Sequence, residues 1–408
     1  MATLAQTART PVTAFVTVVA VAIFLNYVDR GAIGIAAPLM KGELGLSATR
    51  FGIAVSAFFW VYAPIQLVIG RMCDRLPVYR VYGVGVALWA ASTFLTSFVG
   101  GFVSLVVLRV LLGLGESVAF PGSSKMIARH VPPERRGIAN AAVGAALALG
   151  PAAGALAGGL ITANYGWRPM FFLFGLVTFL WLLPWRQVLR QVRPTEERWG
   201  SDCVPVSKVI RRFPLWAMAI GHMTNVYGFY FLLAWLPLFL VQQRGYSIEQ
   251  MSYFATLSYL AHGASAMLLG WWSDAWTRSG RSEPAVRRGT LVVCHLILAG
   301  SIVGILLVGT GGWLAFWLIL AGIGNGAGAL NMYSIAQMFA GPRASGTWVG
   351  IQNGFGNIPG IVMPVVTGLI IDLTGSYAGG FWLAAAVSAA GALWWGLVLP
   401  KIEQLSFD

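Results

Sequence analysis

Apolar residues run in stretches of about 20, long enough to cross a ~30 Å hydrocarbon core as a helix, and short polar turns separate them. Twelve such stretches predict membrane helices at 13–38, 51–70, 81–98, 102–125, 138–162, 169–186, 214–240, 251–272, 289–309, 313–338, 347–371 and 379–399. One polar stretch, 187–212, is long enough to separate two bundles, and it carries Pro194, Glu196, Glu197, Asp202 and Pro205. The expected organisation is therefore an N-terminal six-helix bundle (1–186), a cytoplasmic linker (187–212) and a C-terminal six-helix bundle (213–408). The first stretch is read as a retained helix. Its apolar run exceeds the roughly 7–15 residue core of a signal peptide, and no small-residue cleavage site follows it.

Internal echoes support the cut. Gly70-Arg71-Met72-Cys73-Asp74 after the second span returns as Gly270-Trp271-Trp272-Ser273-Asp274 after the eighth, and Gly45 and Ser47 return as Gly245 and Ser247. Gly100-Gly101-Phe102 likewise matches Gly311-Gly312-Trp313, and the fifth and eleventh spans are both broken by Pro and Gly. Two parallel six-helix repeats predict an all-α integral membrane protein of twelve transmembrane helices in two pseudo-symmetric bundles. That layout is the major facilitator fold, with a site near the bilayer midplane between the repeats.

Composition agrees with the pattern. Hydrophobic residues make up 57% of the chain and charged ones 10%, against the roughly 25% charged of a soluble domain. The net charge of +13 raises nucleic acid as a partner, but the basic residues lie in short loops instead of forming a stripe on a polar domain. They report topology: Arg71, Arg75, Arg80, Arg129, Arg135, Arg136, Arg278, Arg281, Arg287, Arg288, Arg343 and Lys401 fall on one side with the linker, and Lys41, Arg50, Arg168 and Arg244 on the other. The positive-inside rule then places both termini in the cytoplasm. Cys73, Cys203 and Cys294 are scattered without a CxxC or ligand-spaced histidine, so neither a disulfide framework nor a metal site is expected. No catalytic histidine cluster or Ser/His/Asp arrangement accompanies them, and an enzyme is not expected.

Four charges stand where a bilayer disfavours them: Asp29 and Arg30 in the first span, Arg109 and Glu116 in the fourth. Each costs on the order of 2.5–3.5 kcal/mol at a helix centre, so charges at such depth mark a working site by default. Arg109 and Glu116 are seven residues apart, hence two turns or roughly 10.5 Å apart on nearly one helix face, whereas neighbouring Asp29 and Arg30 point about 100° apart. One of the latter pair is expected to face the cavity and the other to reach across to the fourth span. Tyr62 and Gln66, one turn apart in the second span, offer a phenol and an amide on one face. Polar candidates in the second half are His222, Asn225, Tyr227, Asn331 and Asn353, of which His222 and Asn353 are favoured. Bracing of two helices is the alternative for the four charges, plain packing for Tyr62 and Gln66, and an interhelical hydrogen bond for His222.

The loop from Gly70 to Arg80 resembles the cytoplasmic loop of the major facilitator superfamily, with Leu76, Pro77 and Val78 departing from its usual ending. Asn26-Tyr27-Val28-Asp29-Arg30 together with Arg109 through Glu116 is similar to the anion:cation symporter family. Pro121 with Lys125, Pro133 through Gly137 and Asn353 through Pro364 match as well. That resemblance implies a proton-coupled symporter importing a small organic anion, such as a sugar acid or other carboxylate, by alternating access. It implies protonation at Asp29 and Glu116, anion binding or coupling at Arg30 and Arg109, and Tyr27 and Tyr62 beside the substrate. It needs no cofactor beyond a proton gradient, and its partners are the anion, protons and lipid. A monomer in the inner membrane is expected.

Gly150-Pro151-Ala152-Ala153-Gly154 resembles a motif of drug/proton antiporters and supports the rival reading, a proton-driven exporter; close helix packing explains the same small residues. Pro359, Gly360 and Pro364 predict a gating bend in the eleventh span. Asp74, Arg75 and Asp274 are expected to be structural, the acids capping neighbouring helix ends.

Overall fold

The computed structural model describes residues 9–191, 204–309 and 311–407, which are helical almost throughout. The first eight helices are α1 Arg9–Glu43, α2 Ala48–Arg75, α3 Val78–Thr96, α4 Phe102–Glu116, α5 Ala119–His130, α6 Pro133–Tyr165, α7 Trp167–Leu180 and α8 Leu182–Gln191. There follow α9 Val206–Ile210, α10 Phe213–Leu238, α11 Ile248–Arg278, α12 Glu283–Leu307, α13 Gly312–Gly356, α14 Pro359–Thr374 and α15 Ala378–Leu393. Eleven membrane-crossing helices are long and apolar enough to span among the described residues. The expected eighth span is also present, as α11, but its serines, His262 and tryptophans lower its mean hydropathy.

Three boundaries differ from the sequence reading. The tenth and eleventh spans share one continuous run, α13, interrupted only at Gly341 (φ 61°, ψ −179°), where a residue without a Cβ admits a left-handed backbone. The eleventh span then breaks at Asn357 and Ile358 and restarts with Pro359 at the first turn of α14. Proline is tolerated there because the first turn needs no intrahelical N–H donor. The fourth span is likewise split, at Ser117 and Val118, between α4 and α5.

The chain divides into two compact units, residues 1–45 with 57–198, and 46–56 with 199–408. In the first unit α1 lies against α6, where a Cβ on Gly150 would stand 2.7 Å from the Phe24 carbonyl oxygen and one on Gly154 3.1 Å from Val28 Cα. Small residues thus permit backbone approach and fix the rotation of the turn carrying Asp29 and Arg30. This packing accounts for the antiporter-like motif without recourse to export.

The second unit has a core built on Met332, Phe339, Trp348, Trp395, Leu399 and Ile402. The sequence echo at 45–47 and 245–247 has a local cause at each copy. Gly45 and Gly245 take positive φ (60° and 72°), and Ser47 and Ser247 accept from the backbone N–H groups of Arg50 (3.2 Å) and Gln250 (3.1 Å) at the helix starts. At the first of these starts Asp372 adds a carboxylate, accepting from the N–H groups of Ala48 (2.9 Å) and Thr49 (2.8 Å). An anion at a helix N-terminus satisfies orphan donors and complements the dipole.

Candidate functional site

The four membrane charges lie in the first unit. Arg30 Nε and Nη2 both donate to Glu116 Oε2, at 3.0 and 2.8 Å. The two side chains are 4% and 0% exposed, so this is a dry pair in which each charge depends on the other. Arg30 also donates to Asn26 Oδ1 at 3.4 Å. Its guanidinium carbon lies 4.9, 5.0 and 4.7 Å from the ring centroids of Tyr27, Phe58 and Tyr62. Three aromatic rings thus cage the cation beside its partner.

Arg30 is thus the neighbour that reaches across to the fourth span, and Arg109, although it shares a face of α4 with Glu116, does not hold it. Arg109 is buried over Phe58, its guanidinium carbon 5.1 Å from that ring, and its Nε has no hydrogen-bond partner among the described residues. The cause is geometric: two turns of α4 separate the residues, too far for direct contact, whereas Arg30 reaches across from α1. Arg109 influences Glu116 only through its charge.

Asp29 points elsewhere, as neighbours on a helix must. It is 1% exposed and accepts from the Thr178 hydroxyl of α7 at 3.1 Å. Trp89 and Thr93 of α3 face the same carboxyl at longer range. Glu116 is the charged group whose field reaches it. The acids therefore sit in unlike surroundings, Glu116 against two arginines and Asp29 among neutral donors.

Tyr62 stacks on Phe58 with centroids 4.9 Å apart, and Gln66, one turn on, is buried with its Nε2 unpartnered among the described residues. Asn26 Nδ2, Asp29 Oδ1 and Glu116 Oε1 are in the same condition. Buried polar atoms are ordinarily paired, so the unpartnered atoms of Asn26, Gln66 and Glu116 are where a polar ligand finds donors and acceptors, while the Asp29 oxygen faces α3 and α7. The structure thus gathers Tyr27, Asp29, Arg30, Tyr62, Arg109 and Glu116 within one unit. Sequence reading missed Phe58, Trp89, Thr93 and Thr178, because apolar spans are full of such residues and no spacing singles them out.

In the second unit His222 and Asn353 meet around Tyr333. The His222 and Tyr333 rings are 6.0 Å apart, and the Tyr333 hydroxyl donates to Asn353 Oδ1 at 3.3 Å. Asn357 joins them, donating to Asn353 and accepting from Tyr230 at 2.7 Å. His222 is buried beside the Gln352 backbone with its Nδ1 unpartnered among the described residues, and Gly356 leaves the space its ring occupies. Asp274 does not cap a helix end: Arg287 of α12 donates to it at 3.0 Å while also holding Glu283 at 2.7 Å. The first turns of α12 supply a direct charged partner, which a helix dipole does not outcompete. Pro359 opens α14 and Pro364 lies inside it, its carbonyl pressed against Gly52. The side chains of Asp74 and Arg75 lie outside the described residues, as does Cys203.

A bundle of membrane helices enclosing an aromatic-caged arginine, the acid it pairs with, a second buried acid and further buried polar groups is built to move a polar solute, and comparison with known proteins gives the class. The sequence profile of the Major Facilitator Superfamily matches residues 19–281 and 220–405, and the chain belongs to that family. It is a multi-pass membrane transporter and not an enzyme. A Cupriavidus necator protein named "Probable sulfoacetate transporter" is 30% identical over 405 residues, covering 91% of this chain and 90% of that protein. The "Hexuronate transporter" of Bacillus subtilis is 26% identical, with 90% of each chain covered. Among solved structures, a bacterial homolog to the human lysosomal transporter Spinster, in an inward-facing, unoccupied conformation, shares the fold with a TM-score of 0.77 over 96% of each chain at 17% identity.

Proposed function

We propose that this chain imports a small organic anion, a sugar acid or a similarly sized carboxylate or sulfonate, together with protons. The observation that carries the reading is the Arg30–Glu116 pair with Asp29 alongside it on α1. Counted with both acids ionised, Asp29, Arg30, Arg109 and Glu116 sum to zero; one bound proton leaves a single positive charge. An anion is attracted to the protonated cluster and released from the deprotonated one, which links the two cargoes through Coulomb energy at membrane depth. Arg30 is the fork that receives the anion once Glu116 takes a proton and relaxes its hold, because guanidinium matches a planar carboxylate in a bidentate way. Inward proton flow is downhill, about 2.3 kcal/mol per charge for each 100 mV. The anions carried by the relatives named above are consistent with this substrate class.

On this reading Tyr27, Tyr62, Gln66, His222 and Asn353 hydrogen-bond the substrate's oxygens, and Pro359 and Pro364 bend the gate. Six-helix halves of 1–186 and 213–408, joined by 187–212, expose the site alternately to the two sides. The protein works as a monomer in the inner membrane with both termini in the cytoplasm. Uptake of labelled D-glucuronate and sulfoacetate into proteoliposomes under an inward proton gradient tests the proposal. Gradient-dependent accumulation of either acid supports it. Movement of neither, with gradient-driven expulsion of a lipophilic dye instead, transfers the protein to the exporter class.

A further inference from the structure

We propose that Thr178 is a positioning residue for the proton-carrying step, holding the Asp29 carboxyl apart from the arginine cluster and serving both of its protonation states. The inference rests on the proton-coupled reading above. Serines and threonines inside membrane helices ordinarily turn their hydroxyls back to the carbonyl four residues earlier. Ser92, Thr96, Thr256 and Ser301 do so here, at 2.6–2.8 Å. Thr178 instead spends its hydroxyl across the helix interface, on Asp29 Oδ2 at 3.1 Å. Thr178 is fully buried, and so is Trp89; Thr93 is 1% exposed. Asp29 is thereby enclosed by α3 and α7 on the side of α1 turned away from the Arg30–Glu116 pair.

The chemistry of a hydroxyl suits this place. While Asp29 holds a proton, its O–H donates to Thr178 Oγ. When the proton leaves to water, the threonine O–H rotates and donates to the carboxylate, with no heavy atom moved. Of the elements packed on Asp29, the membrane part of α6 between 138 and 164 has no titratable side chain. Arg168 of α7 is held by Glu43. Lys125 and His130 of α5 are engaged with the Cys73 carbonyl and Tyr79, and α8 carries only Arg186 and Arg190, in the last turns of the sixth span. On α3 the hydroxyl of Tyr82 is turned to Ser123. Arg30 and Tyr27 share Asp29's own helix, and Glu116 reaches it through its field. Thr178 is thus the neutral group with direct hydrogen-bond contact to the carboxyl.

Thr178→Val keeps the shape and removes both roles. A hydrogen bond to a charged acceptor outweighs one to a neutral group, so the variant releases its proton less readily by about one pH unit. With D-glucuronate as probe, or sulfoacetate if the wild type accumulates that acid instead, gradient-driven uptake is measured against internal pH beside substrate counterflow. The expected result is a rise of about one unit in the internal pH giving half-maximal uptake, with counterflow within twofold of wild type and Thr178→Ser restoring the profile. An unshifted profile in a variant with normal counterflow reduces Thr178 to packing. Should Thr178→Val lose counterflow, Thr178→Cys decides, its weak donor giving an intermediate shift or, against the proposal, none. Absence of gradient-driven uptake in the wild type removes the underlying transport reading, a result distinct from a failed shift.

Discussion

Glu116→Gln is the substitution whose consequences follow most directly from the geometry. The side chain keeps its shape and its carbonyl oxygen, so the two hydrogen bonds from Arg30 (3.0 and 2.8 Å) survive with a neutral acceptor. Hydrogen bonds to charged groups contribute about 1.5–3 kcal/mol and neutral ones about 0.5–1.5, so two such exchanges cost about 2 kcal/mol. Glu116→Ala removes the partner altogether and leaves Arg30 buried and uncompensated, a loss of about 3–5 kcal/mol. The aromatic cage formed by Tyr27, Phe58 and Tyr62 is untouched in both variants and keeps the guanidinium in place. Denaturant unfolding of the detergent-solubilised protein should therefore rank wild type, Gln and Ala in that order. In proteoliposomes the Gln variant, a permanent mimic of the protonated acid, should exchange substrate by counterflow but fail to accumulate it. Equal stability of all three proteins would falsify the ion-pair reasoning. Gln accumulating like wild type would remove Glu116 from coupling.

Arg30→Lys replaces a planar fork with a point charge and gives up stacking on three rings; the KM for the transported acid should rise at least about tenfold, and an unchanged KM takes Arg30 out of the binding site. Gly113→Ala places a Cβ 2.1 Å from the Phe58 carbonyl oxygen, overpacking that costs about 1–3 kcal/mol; a thermal midpoint equal to wild type contradicts the close approach of α2 and α4. Asp372→Ala strips the cap from two N–H groups at the start of α2, a loss of about 0.5–2 kcal/mol. Asp372→Asn should recover part of it in the same unfolding assay, and identical stabilities would show that water replaces the carboxylate at no cost.

Sequence alone determined the number and order of the membrane helices and the residues bearing charge at membrane depth. Both follow from transfer energies that act residue by residue: an apolar stretch of sufficient length must span, and a charge inside it must be accommodated. The Gly45/Ser47 and Gly245/Ser247 echoes were equally legible, since a left-handed glycine and a capping serine act within one turn of chain. Only the tertiary structure decided which charge meets which. Spacing along α4 put Arg109 and Glu116 on one face, yet Arg30 takes Glu116, because the partner depends on how closely Gly150 and Gly154 let α1 approach and which way it is turned. Thr178, Trp89 and Thr93 became visible for the same reason. A threonine in an apolar helix carries no pattern of its own, and its meaning lies in the distance from its hydroxyl to Asp29.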